Sequence, residues 1–492
     1  MPALSELLAD IPASGPVALA VPVSGVAYAS GSVDPGDAFF CIPGFRFDGH
    51  EFAADAVARG ASVVVASREL PDIGAPVALV DDTRAALAHA SARLFGDPSR
   101  RLEVVGITGT NGKTTTTYLL DSVLRASGRK TGVIGTIETR IGDERLPSSR
   151  TTPESRDLQG LLARMADSGV DAVSMEVSSH AIDLHRVDAI SFAVAAFTNL
   201  SQDHLDYHAT LEEYFSVKAR LMRCVGEEHR VVNIDDEHGR SLAEQVPVVW
   251  TVGFSADATV RAEVVDLRST GSAFELVTPA GRRRVILPLA GAFNVSNALV
   301  AAGCALALGI DLETIARGLE SAPQVPGRLE RIDAGQDFTV LVDYAHTPDG
   351  LAKAIAAVRA VTPGRVITVF GCGGDRDPDK RPLMGRVAGE LSDIAVLTSD
   401  NPRTEDPVGI ILQVQDGLAP TASDHHTEVD RRAAIALALG LARTGDAVLI
   451  AGKGHEDYQI FADRTIHFDD REEAALVLAG WSAAGYCRDT NT

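Results

Sequence analysis

A glycine-rich segment holds the residues whose types and spacing point most directly to chemistry. It reads Gly106-Ile107-Thr108-Gly109-Thr110-Asn111-Gly112-Lys113-Thr114-Thr115. Glycines let backbone N–H groups approach phosphate oxygens, a lysine in this place supplies a point charge for the β and γ phosphates, and the threonine hydroxyl after it can bind Mg²⁺. Five residues, where the strict phosphate-loop pattern has four, separate the first and third glycines. The segment predicts a site for ATP or GTP.

The surrounding sequence favours ATP. An [NT]KxD segment, which would read guanine, does not occur in the chain, so the GTP reading lacks its second motif. The alternative to a nucleotide site is a glycine-rich turn with an incidental lysine. An apolar strand before the loop and a helical stretch after it disfavour that alternative, because this order is typical of a phosphate-binding unit.

The elements that must position the loop are readable from the apolar pattern. Leu102–Thr108 predicts the strand that enters the loop, and Lys113–Ser127 predicts the helix that leaves it. Further strands are predicted at Ala172–Val177, Ser191–Thr198 and Arg230–Ile234. We therefore expect a central ATPase domain with a parallel sheet over residues 101–326.

The flanking segments predict two more α/β domains. Residues 1–100 contain short strands at Ala38–Ile42 and Ser62–Ala66, with a helical stretch at Phe52–Arg59 between them. After Val325-Pro326-Gly327 the pattern restarts, with strands at Thr339–Val342, Val366–Phe370, Ile394–Thr398 and Ala447–Ala451 and helices at Leu351–Ala360 and Arg431–Ala442. Alternating strands and helices favour a parallel sheet with crossover helices, so residues 327–492 are predicted to form a Rossmann-like domain.

Composition excludes several classes of protein. The net charge of −22 over 492 residues disfavours nucleic-acid binding, which needs a basic surface. The first residues lack the pattern of a signal peptide, and the longest apolar run, Ala298–Ile310, is shorter than the roughly 18 residues of a membrane span. The cysteines are scattered singly, which disfavours a metal cluster or a disulfide scaffold. We expect a cytoplasmic protein without membrane insertion.

Lysine usage singles out a few positions. Only six of the 45 basic residues are lysine, and Lys113, Lys218 and Lys453 all lie inside conspicuous motifs. Where arginine is the default cation, a retained lysine indicates a role that needs a compact ammonium or a neutral amine.

Several long motifs resemble one family. They are TGTNGKTT, MEVSSH at Met175 to His180, TNLSQDHLDYH at Thr198 to His208, FNVSNA at Phe293 to Ala298 and DYAHTP at Asp343 to Pro348. Together they resemble the Mur ligases. GCGGDRD at Gly371 to Asp377, DNPR at Asp400 to Arg403 and AGKGHEDYQ at Ala451 to Gln459 resemble the MurE branch, the UDP-N-acetylmuramoyl-tripeptide synthetases.

The resemblance implies an α/β fold of three domains and one reaction. The N-terminal domain would hold the UDP end of the substrate, the central domain ATP, and the C-terminal domain the amino acid. ATP would activate UDP-N-acetylmuramoyl-L-alanyl-D-glutamate as an acyl phosphate, which meso-2,6-diaminopimelate would attack with release of ADP and phosphate. This is a step of peptidoglycan synthesis, and so of cell-wall biogenesis, cell shape and cell division. A monomer is expected.

The resemblance also implies two Mg²⁺ ions. Thr114 and Glu176 match the ligands of the first ion and His204 matches a ligand of the second, whereas His208 has a structural alternative. Lys218, on the helical stretch Leu211–Cys224, matches the lysine that Mur ligases carry as a carbamate (N6-carboxylysine). A carbamate offers oxygen ligands where an ammonium would repel Mg²⁺, and arginine cannot replace it. An unmodified surface lysine is the alternative.

Substrate contacts are implied residue by residue. Around ATP they are the loop residues Gly109, Thr110, Asn111, Gly112, Lys113, Thr114 and Thr115, with Asn294, Arg328, Asp343 and His346. Arg328 follows the domain restart, so we expect it to reach the nucleotide only after the C-terminal domain closes. Around the nucleotide sugar they are Ser30, Phe45, Arg46, Phe47, Thr151, Thr152, Ser178 and Arg186.

The amino-acid site is expected at Arg376, Asp400, Asn401, Pro402, Arg403, Gly452 and Glu456. The guanidinium of Arg403 can hold the distal carboxylate of diaminopimelate, which lysine lacks. Ligation of L-lysine or another diamino acid is the alternative. Two departures, Gly31 where many relatives have arginine and Leu184 where some have glutamine, leave room for an unusual diamino acid such as ornithine or diaminobutyrate. A folylpolyglutamate synthase-like ligase and a nucleotide-gated scaffold are further alternatives, which GCGGDRD with DNPR and the retained Thr114, Glu176, His204 and Lys218 disfavour.

Overall fold

The computed structural model describes residues 1–45, 47–148, 150–203 and 207–483, and side chains up to residue 480. Its strands form one sheet in each third of the chain and a small hairpin near the end. None of the helices in these ranges combines the length and the apolar character needed to cross a bilayer.

The first sheet has five strands. In order across the sheet they run β1-β5-β4-β3-β2, with β1 antiparallel and the others parallel. Buried Val, Leu, Phe and Ala side chains cover both faces. The strands are β1 Ala13–Ser14, β2 Val26–Ala27, β3 Ala38–Phe40, β4 Val63–Ala66 and β5 Val77–Val80, and the helices are α1 Leu4–Leu7, α2 Pro16–Leu19, α3 Ala53–Ala58 and α4 Thr83–Leu94.

The central sheet has eleven strands. They are β6 Glu103–Thr108, β7 Thr131–Ile134, β8 Glu138–Ile141, β9 Glu144–Pro147, β10 Ala172–Glu176, β11 Phe192–Phe197, β12 Arg230–Asn233, β13 Trp250–Gly253, β14 Val260–Arg268, β15 Gly271–Thr278 and β16 Gly281–Leu287. The helices are α5 Lys113–Ala126, α6 Ser155–Asp167, α7 Ser179–Asp183, α8 Leu211–Ala219, α9 Glu237–Gln245, α10 Ala292–Ala307 and α11 Leu312–Glu320. The strand order is β16-β15-β14-β13-β12-β11-β6-β10-β7-β8-β9.

The order of the central sheet explains where its site lies. Strand β6 pairs in parallel with β10 on one side and β11 on the other, so the chain winds in opposite directions from it. Ligands bind beyond the carboxyl ends of parallel strands at such a switch point. The loop after β6, Glu176 at the end of β10 and Thr198 after β11 therefore meet at one edge.

The third sheet has six strands in the order β17-β18-β22-β19-β20-β21, of which only β17 is antiparallel to its neighbour. The strands are β17 Glu330–Arg331, β18 Thr339–Asp343, β19 Val366–Phe370, β20 Ile394–Leu397, β21 Asp424–Thr427 and β22 Ala447–Ala451, followed by the hairpin β23 Tyr458–Ile460 and β24 Thr465–His467. The helices are α12 Pro348–Arg359, α13 Lys380–Leu391, α14 Pro407–Leu418, α15 Arg431–Leu441 and α16 Asp470–Ala483. Apolar clusters lie on both faces, as in a doubly wound α/β fold.

Candidate active site

The loop between β6 and α5 is shaped by two glycines. Gly109 and Gly112 have φ angles of 146° and 86°, which L side chains rarely adopt. A Cβ on Gly109 would lie 1.9 Å from Thr198 Oγ1, and one on Gly112 would lie 2.2 Å from Asn297 Oδ1. Both positions therefore require glycine for conformation and for packing. The loop leads into the N-terminus of α5, where the helix dipole favours a phosphate.

Two lysine side chains converge on one carbonyl of this loop. Lys113 Nζ donates to Gly109 O at 3.0 Å and to Thr110 O at 2.8 Å, and Lys218 Nζ donates to the same Gly109 O at 2.8 Å. Burial lowers the pKa of Lys113 below its usual value. Burial, and then the charge of Lys113, lower the pKa of Lys218 well below its usual value. The environment of Lys218 thus favours a neutral amine.

Glu176 is held beside the first turn of α5. Thr114 Oγ1 donates to Glu176 Oε2 at 3.0 Å, and Thr136 donates to the same carboxylate from its backbone N and its hydroxyl at 2.8 and 3.0 Å. Thr115, next along α5, is buried. A hydroxyl beside a carboxylate at the end of a phosphate loop is a donor set of hard oxygens that fits Mg²⁺.

The structure gives less support to the other metal ligands that the sequence predicts. His204 lies outside the described residues. In the part of the chain that is described, no three His, Cys, Asp or Glu side chains are grouped to hold a metal ion. His208 is buried and packs against the ring of Tyr214, with ring centroids 5.0 Å apart, which supports its structural alternative.

The C-terminal segment reaches the phosphate loop. Arg328 Nη2 donates to Thr114 Oγ1 at 3.3 Å, and its guanidinium lies 4.7 Å from the centre of the Tyr344 ring. Asn111 Nδ2 donates to Asp349 Oδ2 at 3.4 Å at the start of α12. Arg328 therefore lies at the phosphate loop in this conformation, and the dependence of this contact on closure of the C-terminal domain stays a prediction.

Three further residues that were predicted to lie near ATP make hydrogen bonds to neighbouring loops and helices. Asn294 Nδ2 donates to Ala290 O, and Asn294 Oδ1 accepts from Asn297, the residue against Gly112. Asp343 accepts from the backbone N of Leu329 and of Ala345 at 2.8 and 2.9 Å, and burial raises its pKa. His346 Nδ1 lies 2.9 Å from Tyr344 O. Their contact with nucleotide remains a prediction.

A cavity of about 580 Å³ lies between the first and central sheets. Four residues predicted for the nucleotide sugar, Ser30, Phe45, Phe47 and Arg186, line it. Arg46 lies outside the described residues. Gly31 also lines the cavity, and a Cβ there would meet nothing within 4 Å, so this departure from the family pattern leaves open space.

The cavity contains charged residues that sequence reasoning missed. Glu154 Oε2 lies 3.1 Å from Arg84 Nη1, 3.3 Å from Arg186 Nε and 3.8 Å from Arg150 Nη1. Arg150 directly precedes the predicted Thr151, which is a signal that could have indicated it. Arg84 is brought in from α4 by the fold, and no local pattern indicates it.

A chain of hydrogen bonds connects this cavity to Glu176. Arg186 Nη1 donates to Thr152 O at 3.1 Å, and the Thr152 hydroxyl donates to Glu176 O at 2.8 Å while accepting from Ser178 N. Thr151 Oγ1 lies 3.0 Å from Thr136 Oγ1, which itself contacts Glu176. Thr151, Thr152 and Ser178 thus lie between the cavity and the phosphate loop.

The residues predicted for the amino acid assemble around the loop after β20. Asn401 Nδ2 donates to Glu456 Oε2 at 2.9 Å, and a Cβ on Gly452 would lie 2.7 Å from Asp400 Oδ2. Arg403, with φ 53°, donates from Nη1 to Gly374 O at 2.7 Å. Pro402 is buried against Gly374, where a Cβ would lie 1.9 Å from Pro402 O.

Arg376 is the exception in this group. It is exposed, and its guanidinium contacts the carbonyl of Asp375 at 3.4 Å. Lys453, which the sequence analysis singled out as a rare lysine inside a motif but assigned no role, is completely buried among the residues of this group. Its signal was present in the motif AGKGHEDYQ.

Comparisons with known proteins agree across the chain. Residues 22–94 match the model "Mur ligase family, catalytic domain", residues 107–305 the "Mur ligase middle domain" and residues 327–454 the "Mur ligase, glutamate ligase domain". UDP-N-acetylmuramoyl-L-alanyl-D-glutamate–2,6-diaminopimelate ligase of Geobacillus kaustophilus is 48% identical over 455 residues, 91% of this chain and 93% of the relative. The protein of the same name from Solibacter usitatus is 47% identical over 487 residues, 97% of this chain and 98% of the relative.

A solved structure of the same name superposes with a TM-score of 0.70 at 32% identity, and the match covers 98% of this chain and 99% of that one. The fold, the three successive family matches and the identity to these relatives lead to one conclusion: the chain belongs to the Mur ligase family, whose members are ATP-dependent peptide ligases.

Proposed function

We propose that this ligase joins meso-2,6-diaminopimelate to UDP-N-acetylmuramoyl-L-alanyl-D-glutamate at the expense of ATP, in peptidoglycan synthesis. The observation that carries the proposal is the hydrogen-bonded chain from the 580 Å³ cavity through Thr152 to Glu176 and the phosphate loop. It joins the cavity, as the proposed nucleotide-sugar site, to the phosphate loop, as the proposed ATP site, through Glu176, whose backbone O accepts from Thr152 and whose carboxylate accepts from Thr114. The related proteins bear the name of this reaction.

The proposal assigns one task to each third of the chain. We propose domain limits of 1–100, 101–326 and 327–492, with the nucleotide sugar at the first, ATP at the second and the amino acid at the third. The three separate sheets and the position of Arg328 directly after the second limit support this division. The enzyme is proposed to act as a monomer in the cytoplasm.

The first chemical step brings two anions together. A carboxylate oxygen of the D-glutamate residue attacks the γ-phosphorus of ATP, the bond to the bridging oxygen breaks, and ADP leaves. Lys113 and Arg328 contact the phosphate loop from two sides and offset the negative charge that accumulates there. The amine of diaminopimelate then attacks the acyl carbon, phosphate leaves with its electron pair, and the amine loses a proton.

Two Mg²⁺ ions complete the proposed site. Thr114 and Glu176 would hold the first, and His204 and the carbamate of Lys218 would contribute to the second. When bound, the metal neutralises charge on the phosphates and on the attacking carboxylate. The neutral amine of Lys218, favoured by its burial beside Lys113, supports the carbamate, since only the unprotonated amine can bond to CO₂.

The choice of diaminopimelate rests on Arg403 and Glu456. One N–H of the Arg403 guanidinium is used by Gly374 O, and such a group carries five donors, so a carboxylate can be bound by the others. Glu456 would pair with the neighbouring ammonium. L-Lysine would leave Arg403 without its partner, which can support discrimination of roughly 10⁴.

The experiment that tests this proposal offers a panel of amino acids to the enzyme. Meso-diaminopimelate, L-lysine, ornithine and diaminobutyrate are each supplied with ATP and UDP-N-acetylmuramoyl-L-alanyl-D-glutamate, and product masses and kcat/KM are measured. We expect a strong preference for diaminopimelate that Arg403→Ala reduces by roughly 10²-fold or more. Equal use of diaminopimelate and lysine by the wild type, or an unchanged preference in Arg403→Ala, would show the assignment to be wrong.

A control separates Arg403 from its neighbour. Arg376→Ala removes an exposed guanidinium from the same group of loops. Because Arg376 is exposed and contacts only the neighbouring carbonyl of Asp375 among the contacts described, whereas Arg403 donates to Gly374 O, we expect Arg376→Ala to retain more of the preference than Arg403→Ala does. Product formation with lysine alone would favour the alternative diamino acid.

A further inference from the structure

Lys453 is a buried cation that the proposed chemistry leaves without a role. It follows β22 by two positions and its side chain is 0% exposed. Nζ donates to Tyr458 O at 2.6 Å and to Asn401 Oδ1 at 3.0 Å. An ammonium without access to water is costly unless it is paired and hydrogen-bonded, so its retention calls for an explanation.

Two acidic side chains flank the ammonium. Asp400 Oδ1 and Glu456 Oε2 each lie 3.7 Å from Lys453 Nζ. Glu456 also accepts from Asn401 Nδ2 at 2.9 Å, and Asn401 Oδ1 is shared between Lys453 Nζ and the backbone N of Ile460. Asn401 is therefore oriented by Lys453 on its oxygen side and presents its N–H₂ group to Glu456.

The same contacts join two segments of the chain. Arg403 N donates to Ile460 O at 3.0 Å, and Gln459 Nε2 donates to Asp400 O at 2.6 Å. The loop after β20 and the segment from Lys453 to Ile460 are thus tied together around one ammonium. Five of the residues proposed to hold the amino acid belong to these two segments: Asp400, Asn401, Pro402, Arg403 and Glu456.

We propose that Lys453 is a positioning residue for the amino-acid substrate, which fixes Asn401 and Glu456 relative to each other and keeps Glu456 a carboxylate that can pair with the substrate ammonium. The inference rests on the proposed function. In this proposal Lys453 does not itself touch the substrate and acts through Asn401 and Glu456.

The charges around Glu456 make the role of Lys453 measurable. Burial and the nearby Asp400 raise the pKa of Glu456, while Lys453, the hydrogen bond from Asn401 and Arg403 lower it. Tyr344 OH lies 3.5 Å from Glu456 Oε1, and Tyr458 and the buried Arg431 also interact with Glu456. Without Lys453 the pKa of Glu456 rises further. Protonated Glu456 cannot pair with an ammonium, so use of the amino acid is lost on the acidic side at a higher pH than in the wild type.

The test compares Lys453→Met and Lys453→Gln with a matched control. Lys453→Met keeps the length of the side chain, and Lys453→Gln keeps a hydrogen-bond donor without the charge. Arg365→Met is the control, because Arg365 pairs with the buried Asp446 at 2.6 Å, beside the opposite end of the same strand, β22. KM and kcat for diaminopimelate, ATP and the nucleotide sugar are measured across pH, together with thermal unfolding.

We expect both Lys453 variants to lower kcat/KM for diaminopimelate by roughly 10- to 100-fold while KM for ATP and for the nucleotide sugar changes by less than about threefold. The acidic limb of kcat/KM for diaminopimelate moves to higher pH in Lys453→Met. It does not move in Arg365→Met. In a Glu456→Gln background, Lys453→Met produces no such shift, because the titrating group is gone.

Other outcomes overturn the inference. An acidic limb that stays in place, an equal loss for all three substrates, or loss of the folded state in both Lys453 variants would assign this residue a structural role only. Failure of the wild type to use diaminopimelate would instead reject the proposed function, so the two failures are distinguishable.

Discussion

Lys218 shows how a site can change the chemistry of a single residue. Its amine is buried, lies 4.4 Å from the centre of the Tyr214 ring and shares Gly109 O with Lys113. Burial and the second cation both disfavour the protonated form, so the pKa falls well below its usual value. Lowering the pKa increases the fraction of neutral amine, the form that is a nucleophile for CO₂, whereas an arginine in this place would remain a cation.

We predict that Lys218→Ala loses most of the ligase activity, by roughly 10²-fold or more, because the proposed carbamate ligand is removed. Bicarbonate restores wild-type enzyme that has been depleted of CO₂ and does not restore the variant. Short-chain carboxylic acids partly restore the variant by supplying the missing oxygen ligand. Steady-state phosphate release with all three substrates measures these effects.

Lys130→Ala is the matched control for this prediction. Lys130 is an exposed lysine of the same domain, and its Nζ donates to Ser168 O away from the phosphate loop. The variant Lys130→Ala should retain wild-type turnover. A near-normal rate for Lys218→Ala, or an unmodified Lys218 in an active enzyme by mass spectrometry, would contradict the carbamate.

Individual residues were predictable where a motif carried them. Lys113 and Thr114 were indicated by the loop pattern, and Lys218 by a family motif. Their shared contacts were not predictable, because Gly109 O is reached from α5 and α8, which are far apart in sequence. Arg84 and Glu154 have no motif, since their pairing depends on how two domains meet.

At the scale of elements, strongly apolar segments predicted strands well. Predicted Leu102–Thr108 is found as Glu103–Thr108, and predicted Val366–Phe370 and Ala447–Ala451 are found with the same limits. Buried parallel strands read as continuous apolar runs, which explains the agreement. The predicted helical stretch Leu211–Cys224 instead changes from α-helix to 3₁₀-helix at Arg220.

The antiparallel strands β14, β15 and β16 were missed. Their outward positions carry charged residues such as Arg261, Glu263 and Arg282, so no apolar run marks them. Arg282 pairs with Glu263 across the sheet at 2.7 Å. Strands with one face in water alternate rather than cluster their apolar residues, and here a register shift interrupts that alternation between Glu263 and Asp266.

The connection between the central and C-terminal domains is an element with a sharp steric requirement. Gly327 has φ 63°, and a Cβ there would lie 2.2 Å from the backbone of Gly454 and His455. Gly327 O accepts from Tyr344 N, and the next residue, Arg328, contacts Thr114. The position of Arg328 at the phosphate loop therefore depends on a backbone approach that only glycine permits.

We predict that Gly327→Ala lowers kcat by roughly tenfold or more, because the connection must shift and move Arg328 away from Thr114. Gly335→Ala is the control: Gly335 also has positive φ, 88°, yet a Cβ there meets nothing within 4 Å. Both variants bear the conformational cost of about 1 kcal/mol, and only Gly327→Ala should lose turnover. Equal kcat values for the two variants would show that the close approach does not position Arg328.

At the scale of the whole molecule, polar side-chain contacts join the three domains. Tyr28 OH donates to Asp157 Oδ2 at 2.6 Å between the first and central sheets, close to the Arg84–Glu154 pair. On the other side, Arg328 and Asn111 connect the central and C-terminal domains. Family motifs predicted that three domains cooperate, and the residues that join the first two had to be read from the structure.

Arg84 occupies a central place in the contact between the first two domains. Its Nη2 and Nε donate to Pro43 O at 2.7 and 3.1 Å, beside the loop that carries Phe45, and its Nη1 pairs with the buried Glu154. Glu154 also contacts Arg186, which is tied to Thr152 and so to Glu176. A nucleotide sugar in the cavity would be oriented by both domains through this network.

We predict that Arg84→Met raises KM for the nucleotide sugar by roughly 10- to 100-fold, because a buried charge pair and a positively charged part of the cavity are lost together. The value of kcat at saturating substrate should fall much less, since the phosphate loop is left intact.

Arg59→Met is the control, because Arg59 pairs with Asp55 on the exposed face of α3, where an ion pair contributes roughly 0 to 1 kcal/mol. Initial rates over a range of nucleotide-sugar concentrations, at fixed ATP and amino acid, separate the two variants. If Arg84→Met lowered kcat and left KM for the nucleotide sugar unchanged, Arg84 would act on the chemical step, and its proposed role in joining the two domains around the substrate would be rejected.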